Sequence, residues 1–180
     1  DNQNYPLLEY IAKKNKPIIL SSAMSNFEEI QKISNFIKKI NKKIIILQCT
    51  GNYPSRIEET NLNVMKTLKQ AFGCITGYSD HTLGDHIVCA AIASGAKVIE
   101  KHYTFDKNAK GPDHQFAIEP NDLKDMISRI RDIEGAMGDA IKNGPREEEL
   151  EMYQKARRSI LADKDLRKGA VITEDSIVIK

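Results

Sequence analysis

The sequence predicts an α/β protein of the (β/α) barrel type, with a parallel sheet laid down one strand-then-helix unit at a time. Four β-branched apolar runs alternate with amphipathic helical stretches and no hairpin signal separates them, which demands parallel strands joined by helical crossovers. Each run also ends on its C-terminal side in a polar tip: Ser21-Ser22, Cys49-Thr50, Ser79-Asp80-His81 and Glu100-Lys101-His102. Barrels carry their chemistry at that end. No Gly-x-Gly-x-x-Gly follows any strand, so a dinucleotide-binding open sheet is not supported.

Taken in order, Tyr5 to Lys14 carries Leu7, Leu8, Ile11 and Ala12 at helical spacing and is stopped by Asn15-Lys16-Pro17. Pro17 to Ser22 reads as a strand buried on both faces. Ser25-Asn26-Phe27-Glu28 reads as a capping box, and Phe27, Ile30, Ile33, Ile37 and Ile40 form the stripe of the next helix. Lys43 to Thr50 is the second strand, Gly51-Asn52-Tyr53-Pro54-Ser55 a turn, and Leu62, Met65, Leu68 and Phe72 mark a helix. Cys74 to Gly77 is the third strand, its polar tip following, and a helix over about 84–94 stops at Gly95. Lys97 to Glu100 is the fourth. After a long loop through Gly111-Pro112-Asp113-His114, Pro120 opens a helix with Leu123, Met126, Ile127, Ile130, Ile133 and Met137 on one side and Gly138 at its end. Past Gly144-Pro145, the charged run Arg146 to Glu151 reads as a solvated helical linker. Ser159 to Ala162, Val171 to Thr173 and Ile177 to Ile179 read as strands opening a small β-rich module.

Composition narrows the function classes. With 27 Lys and Arg against 25 Asp and Glu, the chain lacks the basic excess of a nucleic-acid binder. Its 41% apolar content suits a globular core, and no run is long and apolar enough to span a bilayer. Three cysteines at unrelated spacings argue for a reducing compartment, and with no signal peptide at the start the expected location is the cytoplasm.

The candidate chemistry lies at the third and fourth strand tips. His81 and His102 leave neighbouring parallel strands at the same end, where two imidazoles can converge, and imidazole is the commonest side-chain metal ligand. The opposing reading is a chance pair of histidines with no finger-type or helical metal spacing. Side-chain alternation along a strand puts Ser79 and His81 on one face, joined by Glu100 and His102, and turns Lys101 away. Glu100 is a candidate acid or base, or a partner for Lys101 or a histidine. His86 reads as a surface residue and His114 as a loop-orienting one.

Five blocks then resemble the sialic acid synthases, the N-acetylneuraminate synthase family: Cys49-Thr50 with Tyr53-Pro54, Gly77 to Gly84, Gly95 to His102, Gly111 to His114, and Arg157-Arg158-Ser159-Ile160. The resemblance covers nearly the whole chain. It implies that 1–142 is the C-terminal half of a (β/α)8 TIM-type barrel, 143–156 a linker, and 157–180 the start of an antifreeze-like (SAF) domain. It implies condensation of phosphoenolpyruvate with an N-acetylated amino sugar, in the full-length protein a homodimer without nucleic-acid or membrane partners. His81 and His102 would hold a divalent ion, Mn2+ or Mg2+; Ser21 and Ser79 would bind phosphoenolpyruvate; Tyr53 and Asp113 would contact the sugar. Glu100, His81 and His102 are the expected catalytic residues. Gly51 stands where several relatives carry an amide or hydroxyl, so Asn52 or a water would take that contact.

Gly111-Pro112-Asp113-His114 resembles the N-acetylneuraminate branch more than the pseudaminate branch, with N-acetylmannosamine or a close analogue as the expected acceptor; a legionaminic or pseudaminic acid synthase is the alternative, since all three share these blocks. Two rival readings are a non-catalytic fragment that keeps sugar contacts, and another metal-dependent barrel such as an aldolase or hydrolase. The latter would place more carboxylates at the strand tips. Since a barrel closes with eight strands, residues 1–180 alone are expected to expose sheet edges, to associate, and not to catalyse.

Overall fold

The computed structural model describes residues 2–180. They form two compact units, one running through Gly138 and the other Asp139–Lys180.

The first unit is an α/β half-barrel around a 4-stranded parallel sheet in sequence order. Helix α1 (Tyr5–Lys13) is capped by the Asn4 side chain and leads into β1 (Ile18–Ser21). Helix α2 (Phe27–Lys38) precedes β2 (Ile44–Cys49). A short 3-10 turn at Ile57–Glu59 and helix α3 (Val64–Phe72) lead to β3 (Ile75–Asp80). Helix α4 (His86–Ala93), β4 (Ile99–Lys101) and the 18-residue α5 (Pro120–Met137) complete the unit.

Several boundaries differ from the sequence reading. The box closing the N-terminus of α2 is Asn26 with Glu29, one residue later than expected, because Asn26 takes the extended backbone of a cap and its side chain accepts from Glu29 N at 2.9 Å. Strand β3 runs on through Tyr78, Ser79 and Asp80 instead of ending at Gly77. Those polar residues stay in the ladder because β2 and β4 pair with them on either side.

The register sorts side chains into two faces. Ile18, Leu20, Ile44 and Ile46 are buried with Ile30, Ile33 and Ile37 of α2 and with Leu68 and Phe72 of α3. The other face starts with the row Ile19↔Ile45↔Ile75, in which Ile19 and Ile75 are each 53% exposed. Next along it comes Ser21↔Leu47↔Gly77, then Cys49↔Ser79↔Glu100. This face therefore passes from apolar at the N-terminal ends of the strands to polar at the C-terminal ends, the gradient of a barrel interior. β1 and β4 are the sheet's outer strands, with no further strand paired to either among the described residues.

The second unit contains a 3-10 turn at Glu147–Glu149, helix α6 (Leu150–Ala156), and an antiparallel pair of β5 (Ile160–Ala162) with β6 (Ile177–Ile179). Val171 to Thr173, expected as a strand, is not one: Val171 and Ile172 are exposed and unpaired. No helix among the described residues is long and apolar enough to cross a membrane.

Candidate active site

The polar row of the sheet and the loops just beyond it bring most of the candidate residues together. Ser79 and Glu100 are register partners, and Ser79 Oγ donates to Glu100 Oε1 at 2.6 Å. Past the ends of β3 and β4, the rings of His81 and His102 meet edge to face with centroids 5.3 Å apart. Tyr53, on the loop after β2, lies 4.1 Å from the His81 ring and 5.6 Å from that of His102.

His81 is 5% exposed and its Nδ1 lies 2.8 Å from the Thr50 carbonyl oxygen. A carbonyl can only accept, so Nδ1 carries the proton of this bond, and Nε2 is the nitrogen that offers a lone pair in the neutral tautomer. This is the usual arrangement of a ligating imidazole, whose other nitrogen donates to a fixed acceptor. Backbone bonds hold both histidines: His81 O accepts from Ser55 N and His102 O from Ile118 N, each at 2.9 Å. Asp113 Oδ2 lies 3.7 Å from His102 Nδ1, so a charge attraction arises when that ring is protonated. The donor set fits one divalent ion in two respects. His81 presents a free nitrogen, and two rings with centroids 5.3 Å apart can share an ion about 2 Å from each nitrogen. Among the described residues no cluster of three or more His, Cys, Asp and Glu side chains joins them.

Burial, and after it the electrostatic influence of Cys49, Asp113 and Glu100, pushes the Tyr53 phenol above its usual range. Tyr53 therefore stays protonated at neutral pH as a hydrogen-bond donor.

Of the remaining candidates, Ser21 shares the sheet face two strands from Ser79, but its Oγ accepts from Ala23 N at 3.3 Å and reaches none of the histidine cluster. Asn52, expected to stand in for Gly51, donates to Glu59 Oε2 at 3.2 Å and caps Tyr53 N at 3.0 Å. His114 Nδ1 lies 2.7 Å from Thr104 Oγ1, a loop-orienting contact as expected, and His86 is exposed.

Sequence reasoning missed Phe116, which is buried and packs 4.9 Å from the His102 ring and 5.7 Å from Tyr53. Its loop carries no periodicity that could have signalled it. It also missed the partner of Lys101, which is Asp80 and not Glu100: Nζ donates to Asp80 Oδ2 at 2.6 Å on the face away from the histidines.

The family model described as the NeuB family matches residues 1–142. An N,N'-diacetyllegionaminic acid synthase of Campylobacter jejuni is 46% identical over 180 residues, covering 98% of this chain and 54% of that protein. The N-acetylneuraminate-9-phosphate synthase of Homo sapiens is 35% identical, covering 100% of this chain and 50% of its own length. A solved N-acetylneuraminic acid synthetase from Leptospira borgpetersenii, crystallised with citrate, superposes with a TM-score of 0.78 at 34% identity, over 86% of this chain and 54% of that one. The chain thus spans about half the length of the curated relatives it matches.

Proposed function

The chain belongs to the NeuB family, and from that premise we propose that the full-length protein joins phosphoenolpyruvate to an N-acetylated amino sugar, giving a nonulosonic acid and phosphate. The observation that carries the reading is the convergence of His81, His102 and Tyr53 at the strand tips directly beyond the Ser79–Glu100 pair. His81 and His102 would hold a divalent ion, manganese or magnesium, which would supply Lewis-acid polarisation of the sugar aldehyde.

The protein's own groups do the rest. The methylene carbon of phosphoenolpyruvate attacks the aldehyde carbon, forming the new carbon–carbon bond; the C=O electron pair moves to the aldehyde oxygen, which takes a proton from solvent, and the pyruvyl carbon is left electron-poor. Water adds there and Glu100 takes its proton. The hydroxyl of the tetrahedral adduct then gives up its proton to solvent and closes to the ketone as the bond from carbon to the phosphate oxygen breaks, and phosphate leaves with that oxygen. Ser79, donating at 2.6 Å, fixes one oxygen of Glu100 and leaves the other for the water. A serine hydroxyl has one proton, so phosphoenolpyruvate must compete with Glu100 for it, while Ser21 is free to donate. Tyr53 donates to a sugar oxygen and Asp113 accepts from sugar hydroxyls.

N-acetylmannosamine is the acceptor this reading favours, with Asp113 selecting for the sugar hydroxyls. A second reading, a dideoxy diacetamido hexose, draws support from the 46% identity to the Campylobacter jejuni synthase. A polar group left without its hydroxyl partner costs about 1–3 kcal/mol, so the ratio of kcat/KM for the two sugars should reach roughly 5- to 150-fold. A ratio favouring N-acetylmannosamine is expected, and Asp113→Ala should flatten it. The reverse ranking establishes the second reading, and turnover of neither sugar rejects the condensation. Homodimer assembly in the cytoplasm, where free Cys49, Cys74 and Cys89 stay reduced, and a role for residues 157–180 as the start of an antifreeze-like (SAF) domain belong to the same proposal.

A further inference from the structure

We propose that the buried Asp80–Lys101 pair is a positioning element that fixes His81 relative to His102; as a statement about metal affinity it rests on the ion-binding reading above. Asp80 and Lys101 are register partners at the ends of β3 and β4, and each immediately precedes one of the two histidines. Their side chains are 0% and 3% exposed, on the face turned away from the site. Nothing in the proposed reaction uses them.

The hydrogen bonds tie three points together. Lys101 Nζ donates to Asp80 Oδ2 at 2.6 Å and to the Thr82 carbonyl at 2.9 Å. Asp80 Oδ1 accepts from Thr82 N at 2.9 Å and from Thr82 Oγ1 at 2.8 Å. Residues 80 and 82 bracket His81, so the pair closes a loop around that histidine and anchors it to the residue before His102. The β3–β4 ladder ends at this pair, and beyond it each strand tip leaves the sheet. A rigid, fully hydrogen-bonded link at that point sets where the two rings emerge, and such supporting contacts govern metal affinity through ligand placement.

A buried ion pair could instead serve only the fold, and its double replacement separates the two roles. Removing one partner strands a buried charge, whereas replacing both leaves none. Asp80→Asn and Lys101→Met singly are expected to lower the melting temperature of the full-length protein by roughly 10 °C. The double variant should recover most of that loss. It should nevertheless bind Mn2+ about 10- to 100-fold more weakly by calorimetry. In the ion-free protein, long-range 1H–15N spectra should show His81 as the Nδ1–H tautomer in the wild type and as a mixture of tautomers in the double variant.

A double variant with wild-type stability, an unchanged His81 tautomer and unchanged Mn2+ affinity overturns the proposal. Thr82→Val, which removes one bond of the loop and no charge, carries the same test should the double variant not fold: a partial loss of both signatures supports positioning, and no change overturns it. If the wild type binds no Mn2+, the ion-binding reading fails and the tautomer readout alone decides the role of the pair.

Discussion

Replacing His81 or His102 with alanine in the full-length protein is expected to lower ion-dependent turnover by about 10²–10³-fold, the scale of losing one preorganised group from a site of developing charge. The fold should survive both changes. The two rings lie beyond the last ladder rungs of β3 and β4, outside the three apolar clusters that support the helices. His81→Ala removes one hydrogen bond, to the Thr50 carbonyl, worth about 1 kcal/mol. His102 has a side chain 30% exposed and costs less. Activity against added manganese, with circular dichroism as the control, reads both sides of the statement. Near-wild-type turnover in either variant removes that histidine from the ligand set.

A comparably large effect, on stability instead of chemistry, is expected for Gly77→Ala. Gly77 lies in the row Ser21↔Leu47↔Gly77, where β3 passes close to the chain leading into β4. A Cβ built there would sit 2.2 Å from the Val98 carbonyl oxygen and 2.7 Å from Leu47 Cδ2. Val98 O is not free to move, because it accepts from Tyr78 N at 2.9 Å, next to the bond from Lys97 N to Thr76 O. The methyl group must therefore push the strands apart, at or above the upper end of the about 1–3 kcal/mol typical of overpacked cores. That is a large share of the about 5–15 kcal/mol that holds a domain together. The melting temperature should fall by roughly 10 °C. Activity should fall with it, since the Ser79↔Glu100 register lies just downstream. A melting temperature within about 2 °C of wild type would show that the close approach is relieved at little cost.

The strands were legible in the sequence because Ile18 to Leu20 and Ile44 to Leu47 are β-branched runs too short and too apolar for anything but buried parallel strands. The pairing of Ser79 with Glu100 on one face, and the exclusion of Lys101 from it, followed from alternation alone. The end of β3 was not legible. Tyr78, Ser79 and Asp80 have the composition of a loop, and only two neighbouring strands keep such residues in a ladder. The Asp80–Lys101 pair was hidden for a related reason: it depends on the register between strands whose partners are 21 residues apart, and local pattern does not carry register. Phe116 was hidden because the loop from Thr104 to Ile118 folds back onto β4, with Ile118 N bonded to His102 O at 2.9 Å, without any hydrophobic period.

The central claim, an ion-assisted condensation of phosphoenolpyruvate with an amino sugar at the His81–His102 pair, is tested most directly by phosphate release from phosphoenolpyruvate in the full-length protein. The rate is to be followed with and without N-acetylated amino sugar and before and after chelation of divalent ions. Release that requires both the sugar and the ion, and that returns when manganese is restored, is the predicted result. Release at an undiminished rate without the sugar, or after complete removal of the ion, would contradict it.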